Sequence, residues 1–354
     1  NLPTMDGLSV ESSSDSEDSS FGVQEVQPSR KKERWSGCTV CCCLCGLGCV
    51  LLGQAVLVQL VRTAMDWAYW SDRTPPFGDC PVAYDAALMR PVAEAARASF
   101  CSLSSSGIGS WSCEPCLRSN LTAVEGSLTP VAGSEMFEAN RTQGYVVKFA
   151  GPAAFAGACL IAFRGTSNEA NCLTDADALL QSLPWHYRCP GCFVHTGFYQ
   201  AWDGVKSKVV AALRSIGCQD GLIITGHSMG AAISTLAAMS LTQVYGFRLR
   251  MFYSFESPRV GNPAFHASFQ RLVVGGSTPA FRLTYDRDIV PHVPPTLADF
   301  EHVGCEVYYS RSGMARVCPS SEDGACSGQW ALPDTDANLQ AGPDGGEHCN
   351  PVYA

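Results

Sequence analysis

Apolar residues fall into several distinct patterns along the chain. Short apolar runs bounded by glycine, proline or polar residues recur at 144–149, 158–163, 222–225, 251–256 and 280–284. Runs of that length and bounding predict strands of a buried sheet. Residues 198–216 space their apolar positions near 3.6 and predict a helix, as do residues 82–101 with their Ala, Leu, Met and Phe positions. Residues 231–241 are small and apolar, with helical composition. Strands alternating with helices predict an α/β fold with a mainly parallel central sheet.

The amino-terminal part follows other patterns. Residues 1–29 have no apolar period and contain an acidic, serine-rich run from Glu11 to Ser20. Such a segment buries too little apolar surface to offset its ordering entropy and is predicted to be disordered. A basic cluster, Arg30-Lys31-Lys32-Glu33-Arg34, comes next. Residues 38–61 then carry no charge, a length beyond the roughly 20 residues that a membrane-crossing helix needs. Positive charge before the run predicts a cytosolic tail, a signal-anchor helix and a lumenal or extracellular remainder, a type II arrangement. The rival reading is a signal peptide, with secretion after cleavage. Residues 62–79, with Pro75 and Pro76, read as a linker, and 80–354 as the globular domain.

The chain has 354 residues, 46% hydrophobic and 16% charged, with net charge −9. This length allows one large domain plus extra segments. The acidic balance argues against nucleic acid as a partner. Of the 19 cysteines, six lie between Cys38 and Cys49 and thirteen between Cys80 and Cys349. The first group is a candidate for palmitoylation at the membrane, or serves as small hydrophobes within the helix. Asn120-Leu-Thr122 and Asn140-Arg-Thr142 are glycosylation sequons, and with many cysteines they fit an oxidising, lumenal setting.

Between the run at 222–225 and the small-residue helix lies Gly226-His227-Ser228-Met229-Gly230. A G-x-S-x-G between a strand and a helix holds its serine in a strained turn that aims the hydroxyl out of the sheet. Serine is a weak nucleophile until a base takes its proton, and the base needs an orienting carboxylate. In this architecture the chain order is Ser, then Asp or Glu, then His. Downstream lie Asp286 and Asp288, then His292, His302 and His348.

A larger set of segments carries a family resemblance. Ala162-Phe-Arg-Gly-Thr-Ser167, Val194-His-Thr-Gly-Phe198, Thr225-Gly-His-Ser-Met-Gly230, Glu256-Ser-Pro-Arg-Val-Gly-Asn262, Asp288-Ile-Val-Pro-His-Val-Pro-Pro295 and His302-Val-Gly-Cys-Glu-Val-Tyr308 occur in this order. Over residues 95–350 the chain resembles the fungal-type class 3 lipases, a family that also contains feruloyl esterases and mono- and diacylglycerol lipases. The resemblance implies an α/β-hydrolase fold. It also implies Ser228 as nucleophile, Asp288 as the triad acid and His348 as the base. Met229 N–H and Thr166 would form the oxyanion hole. Asp286 is then a loop residue, and His227, His292 and His302 support the structure. Around His348 the chain reads Glu347-His348-x-x-x-x-Tyr353, where the family usually has Asp-His-x-x-Tyr-Phe.

By the same resemblance, residues 167–187 form a lid. Its first half is polar, with Asn171 and Asp175 at the family spacing and Cys172 in place of the usual tryptophan. Its second half is apolar, with Leu179, Leu180, Leu183 and Trp185. Disulfides are implied at Cys113–Cys116, Cys189–Cys192 and Cys318–Cys326, although two C-x-x-C pairs are also compatible with zinc or redox chemistry. Cys101 matches a family cysteine whose partner lies in the carboxy-terminal tail, where this chain has Cys349. The expected activity is a lipid carboxylic-ester hydrolase that uses no metal or organic cofactor. The alternatives are a carbohydrate- or aryl-ester esterase of feruloyl type, and an inactive lipase-like binding domain.

Overall fold

The computed structural model describes residues 80–102, 104, 107–133, 142–165, 179–275 and 278–335. All of them lie in the unit Arg62–Ala354. The expected tail, anchor and linker lie outside the described residues, as do Asn140, Thr166 and His348. Among the described residues no helix is long and apolar enough to cross a membrane.

The described strands are β1 (Thr122–Ala123), β2 (Thr129–Ala132), β3 (Gln143–Gly151), β4 (Cys159–Phe163), β5 (Leu180–Ser182), β6 (Phe193–His195), β7 (Leu222–His227), β8 (Leu249–Phe255), β9 (Ala280–Tyr285), β10 (Cys305–Tyr309) and β11 (Ala315–Val317). The α-helices are α1 (Ala86–Ala98), α2 (Glu114–Arg118), α3 (Thr196–Ile216), α4 (Met229–Gln243) and α5 (Pro263–Phe269). The main sheet runs β1-β3-β4-β7-β8-β9-β10-β11, with β2 also on β3. β4, β7, β8, β9 and β10 are parallel. β3 pairs antiparallel with β4, and β11 antiparallel with β10. This is an α/β sheet with a mainly parallel centre.

β4 and β7 are buried along almost their whole length. Burial on both faces is why they read as unbroken apolar runs rather than alternations. α4 packs on β4, β7 and β8, and α3 lies against α4. Every residue of α4 from Met229 to Leu241 is buried, which explains why its sequence shows no polar face. α3 is covered on one side only: it buries Phe198, Trp202, Val205, Val209 and Leu213, and leaves Asp203 and Lys208 exposed.

α1 is shorter than the sequence pattern predicts. Asp85 starts it by accepting the Ala87 N–H at 2.8 Å, an N-cap bond. Ser99 stops it by donating its hydroxyl to Ala96 O at 2.6 Å. The apolar residues flanking these two points lie outside the helix.

Two disulfides join distant parts of the domain. Cys80–Cys305 ties its beginning to β10, and Cys159–Cys218 ties β4 to the segment after α3. Cys113–Cys116, Cys189–Cys192 and Cys318–Cys326 are bridged locally.

One charged pair lies wholly inside the sheet. Arg282 on β9 and Glu306 on β10 are register partners, with N···O 2.9 Å and side chains 1% and 0% exposed. Glu306 also accepts from Thr284 Oγ1 at 2.7 Å and from Ser327 N–H at 3.1 Å. The Arg282 guanidinium donates to Ser321 O at 2.7 Å. Thus the pair fastens the chain after β11 to the sheet. Removing one member leaves the other charge buried and uncompensated. Glu306→Ala is therefore expected to cost about 3–5 kcal/mol in reversible chemical denaturation. A loss below about 1 kcal/mol would mean that water reaches the pair and screens it.

Candidate active site

Ser228 stands where β7 passes into α4. Its φ of 57° and ψ of −130° lie in a region that side-chain-bearing residues rarely adopt, at a cost on the order of 1–3 kcal/mol. Neighbouring elements hold it there. Its N–H donates to Phe255 O of β8 at 2.9 Å, and its carbonyl accepts from Ala231 N–H at 2.9 Å. The backbones also approach too closely for side chains. A Cβ on Gly230 would lie 2.2 Å from Phe163 O at the end of β4. One on Gly165 would lie 2.9 Å from His227 O and 3.1 Å from the Ser228 Cβ. The end of β4 therefore lies directly against the serine.

The Ser228 side chain is buried, and its Oγ has no hydrogen-bond partner among the described residues. Met229 opens α4, where backbone N–H groups and the helix dipole favour negative charge. Gly165 brings the β4 end to the same place. Thr166, the next residue, is outside the described set.

Asp288 follows β9, two strands from β7, so both residues lie at the carboxyl edge of the parallel strands. That edge is where α/β folds place their sites. Asp288 is buried, and its carboxylate accepts the Val290 N–H at 3.0 Å. Its backbone N–H donates to Tyr285 O at 3.0 Å. Asp286 is held differently: Oδ1 accepts from Tyr308 OH at 3.3 Å, and Oδ2 pairs with the exposed Arg311 at 3.2 Å.

The described histidines have structural partners. Nδ1 of His292 lies 2.9 Å from Asp288 O, and its Nε2 lies 3.1 Å from Ser327 O. His302 Nε2 lies 2.6 Å from Pro291 O in a buried setting, and burial holds its pKa well below the usual value. These two rings brace the Asp288 loop. His227 meets Phe100 edge to face at 6.0 Å. His195 caps α3 by accepting the Phe198 N–H at 3.4 Å and stacks on the Phe198 ring. Burial pushes its pKa down to about 4.

The structure thus brings Ser228, Met229 and Asp288 to one edge of the sheet, and His348 lies outside the described residues. Of the segment expected as a lid, 167–178 is also outside. Its second half contributes β5, paired with β6, and a 3₁₀ turn Trp185–Tyr187. Leu183 is buried there, whereas Leu179 and Trp185 are exposed. Sequence reasoning missed Phe100, whose ring lies beside His227 and Gly165. It also missed the Arg282–Glu306 pair, since nothing local in the sequence marks a register between strands.

A parallel sheet whose central strand ends in a strained serine, followed by a buried helix, defines the α/β-hydrolase class. Residues 160–298 match the family described as lipase (class 3). Secreted mono- and diacylglycerol lipase A of Penicillium cyclopium is 32% identical over 166 residues, which are 46% of this chain and 52% of that protein. A lipase of Rhizomucor miehei is 33% identical over 177 residues, 47% of each chain. The chain spans about half the length of the curated relatives it matches. A solved triacylglycerol lipase, described as having a serine protease triad as its catalytic centre, superposes with TM-score 0.56 at 25% identity. The alignment covers 74% of this chain and 96% of that one. Residues 160–298 thus match the class 3 lipase family model, and the chain is similar to fungal lipases in sequence and in fold.

His195 makes the fold sensitive to acid. With a folded pKa of about 4 against an ordinary 6.5, the unfolded chain binds more protons between those values. Stability is therefore full above the ordinary value and falls as pH drops through the window, by about 3 kcal/mol at the lower end. Burial lowers His266 and His302 in the same direction. His195→Asn keeps a capping acceptor without a titrating ring. Denaturation curves taken across this pH range are expected to lose part of their pH dependence in that variant, and an unchanged dependence would assign the effect to the other two histidines.

Proposed function

We propose that the domain is a serine hydrolase of lipid carboxylic esters, with an acylglycerol as the leading substrate class. The observation that carries this reading is Ser228: strained, buried and without a described hydrogen-bond partner at the end of the central strand. In the proposed reaction Ser228 Oγ attacks the ester carbonyl while His348 takes its proton. Asp288 orients that histidine and stabilises its positive charge. Met229 N–H and Thr166 receive the negative charge that develops on the carbonyl oxygen. His348 then protonates the leaving alcohol, and water hydrolyses the acyl-enzyme by the same steps. The acylglycerol preference rests on relatives named as mono- and diacylglycerol lipases.

The same proposal sets the compartment. Five disulfides among the described residues fit an oxidising environment, and relatives are named as secreted. Asn120, exposed in its turn, and Asn140 are the proposed glycosylation sites. The domain divisions proposed from sequence place the charge-free run at 38–61 as the segment that anchors the domain beside lipid. Cleavage after that run would instead secrete it.

Fluorophosphonate labelling of the full chain, beside Ser228→Ala, tests the nucleophile. Labelling in the parent and none in the variant is expected. An ester series then tests the substrate class, with hydrolysis of long-chain acylglycerols expected. Activity confined to short or aromatic esters would reject the lipase reading in favour of an esterase. No labelling of folded, disulfide-intact protein would favour the binding domain. His348→Ala is expected to lower kcat by roughly 10⁴-fold or more, and an unchanged kcat would show that another residue is the base.

A further inference from the structure

Asp288 is the last residue of a tight turn, Tyr285-Asp286-Arg287-Asp288, closed by its own N–H on Tyr285 O at 3.0 Å. The turn follows directly on β9. Its second residue, Asp286, has a φ of 37°, in the left-handed region that aspartate tolerates better than most side chains. Such a turn aims its last residue only as firmly as its two central residues are held. Here both are held, and by the same pair of aromatic side chains.

Asp286 is fastened to the end of β10 and the residues just after it. Its N–H donates to Tyr309 O at 2.7 Å. Oδ1 accepts from Tyr308 OH at 3.3 Å, and Oδ2 pairs with Arg311 Nε at 3.2 Å. Arg311 is exposed, so screening leaves that pair little weight, and the Tyr308 bond is the stronger side-chain anchor. Arg287, the other central residue, sets its guanidinium over the Trp330 ring, 5.8 Å from the centroid, within cation–π range. Trp330 Nε1 in turn donates to the Tyr308 hydroxyl at 3.3 Å. One hydroxyl thus accepts from the partner of Arg287 and donates to Asp286.

The support behind that hydroxyl is stiff. Tyr308 is buried in a cluster with the Cys318–Cys326 bridge. Tyr309, whose side chain leaves the opposite face of the strand, has its hydroxyl 2.7 Å from that of Tyr84. We propose that Tyr308, Asp286 and Trp330 are positioning residues that clamp the turn and thereby aim the Asp288 carboxylate at the base. Their effect passes through Asp288 rather than through the substrate. The clamp secures the turn that leads into Asp288, while His292 faces the Asp288 carbonyl at 2.9 Å. This role deepens the hydrolase reading and rests on it.

The test uses the full chain, with ester turnover expressed per serine labelled at saturation by fluorophosphonate, so that misfolded protein is not counted. Tyr308→Phe keeps the ring and removes the hydroxyl. Asp286→Gly keeps access to positive φ and removes the tether, whereas Asp286→Asn keeps both the backbone conformation and an acceptor. Tyr308→Phe and Asp286→Gly are expected to lower kcat roughly 10-fold or more with KM within about twofold of the parent. Asp286→Asn is expected to retain most of the parental kcat. The acid limb of kcat/KM reports the base that Asp288 orients. It is expected to move to lower pH in Tyr308→Phe, because a misaimed carboxylate stabilises the protonated base less.

Parental kcat per labelled serine in both Tyr308→Phe and Asp286→Gly, with only a lower melting temperature, would overturn the proposal and make the clamp a matter of stability alone. Equal losses in Asp286→Asn and Asp286→Gly would overturn it too, since charge rather than the tether would then matter. A parent that neither labels nor turns over ester would remove the hydrolase reading and this role with it. An active parent beside unaltered variants would remove this role alone.

Discussion

Three backbones converge on Ser228, and there is room there for no side chain but the serine's own. The end of β4, the end of β7 and the start of α4 approach so closely that a methyl group on Gly230 would penetrate a carbonyl oxygen. That approach holds the serine at positive φ, because relaxing its backbone would push α4 into β4. The strain is borne by the burial of α4 and the central strands, where apolar area contributes about 25 cal/mol per Å². The geometry at the serine is therefore a property of the whole sheet–helix junction rather than of the pentapeptide.

A second set of restraints supports the acid side of the site. Arg282 and Glu306 form a buried pair across β9 and β10, and Glu306 accepts the Ser327 N–H. Ser327 O faces His292, whose other nitrogen faces Asp288 O. A continuous polar chain thus runs from the sheet interior to the Asp288 loop. Burial keeps neighbouring His302 neutral, which avoids placing another positive charge beside Arg282 and Arg259.

The cysteines serve two physical purposes. Cys80–Cys305 and Cys159–Cys218 close long loops and restrict the unfolded chain. Cys113–Cys116 closes a loop of only a few residues, so it restrains little of the unfolded ensemble.

The residues alone determined the alternation of strands and helices, the buried character of β4, β7 and α4, and the strand–serine–helix turn. Each depends on local composition: continuous apolar runs, a small-residue helix, and glycines flanking one serine. The order of motifs carried the family resemblance for the same reason. Strand pairing is not local, and so the partnership of Arg282 with Glu306 and of Cys159 with Cys218 was illegible. The same holds for β10, a strand the apolar pattern did not announce, and for the second half of the expected lid, which pairs with β6. Phe100 lies far along the chain from Ser228 and meets the elbow only because α1 packs on the strands that carry it. The sequence determined which groups are able to react; the tertiary structure decided which of them stand together, because proximity between distant segments is fixed by packing and register, and neither is written in any one stretch of chain.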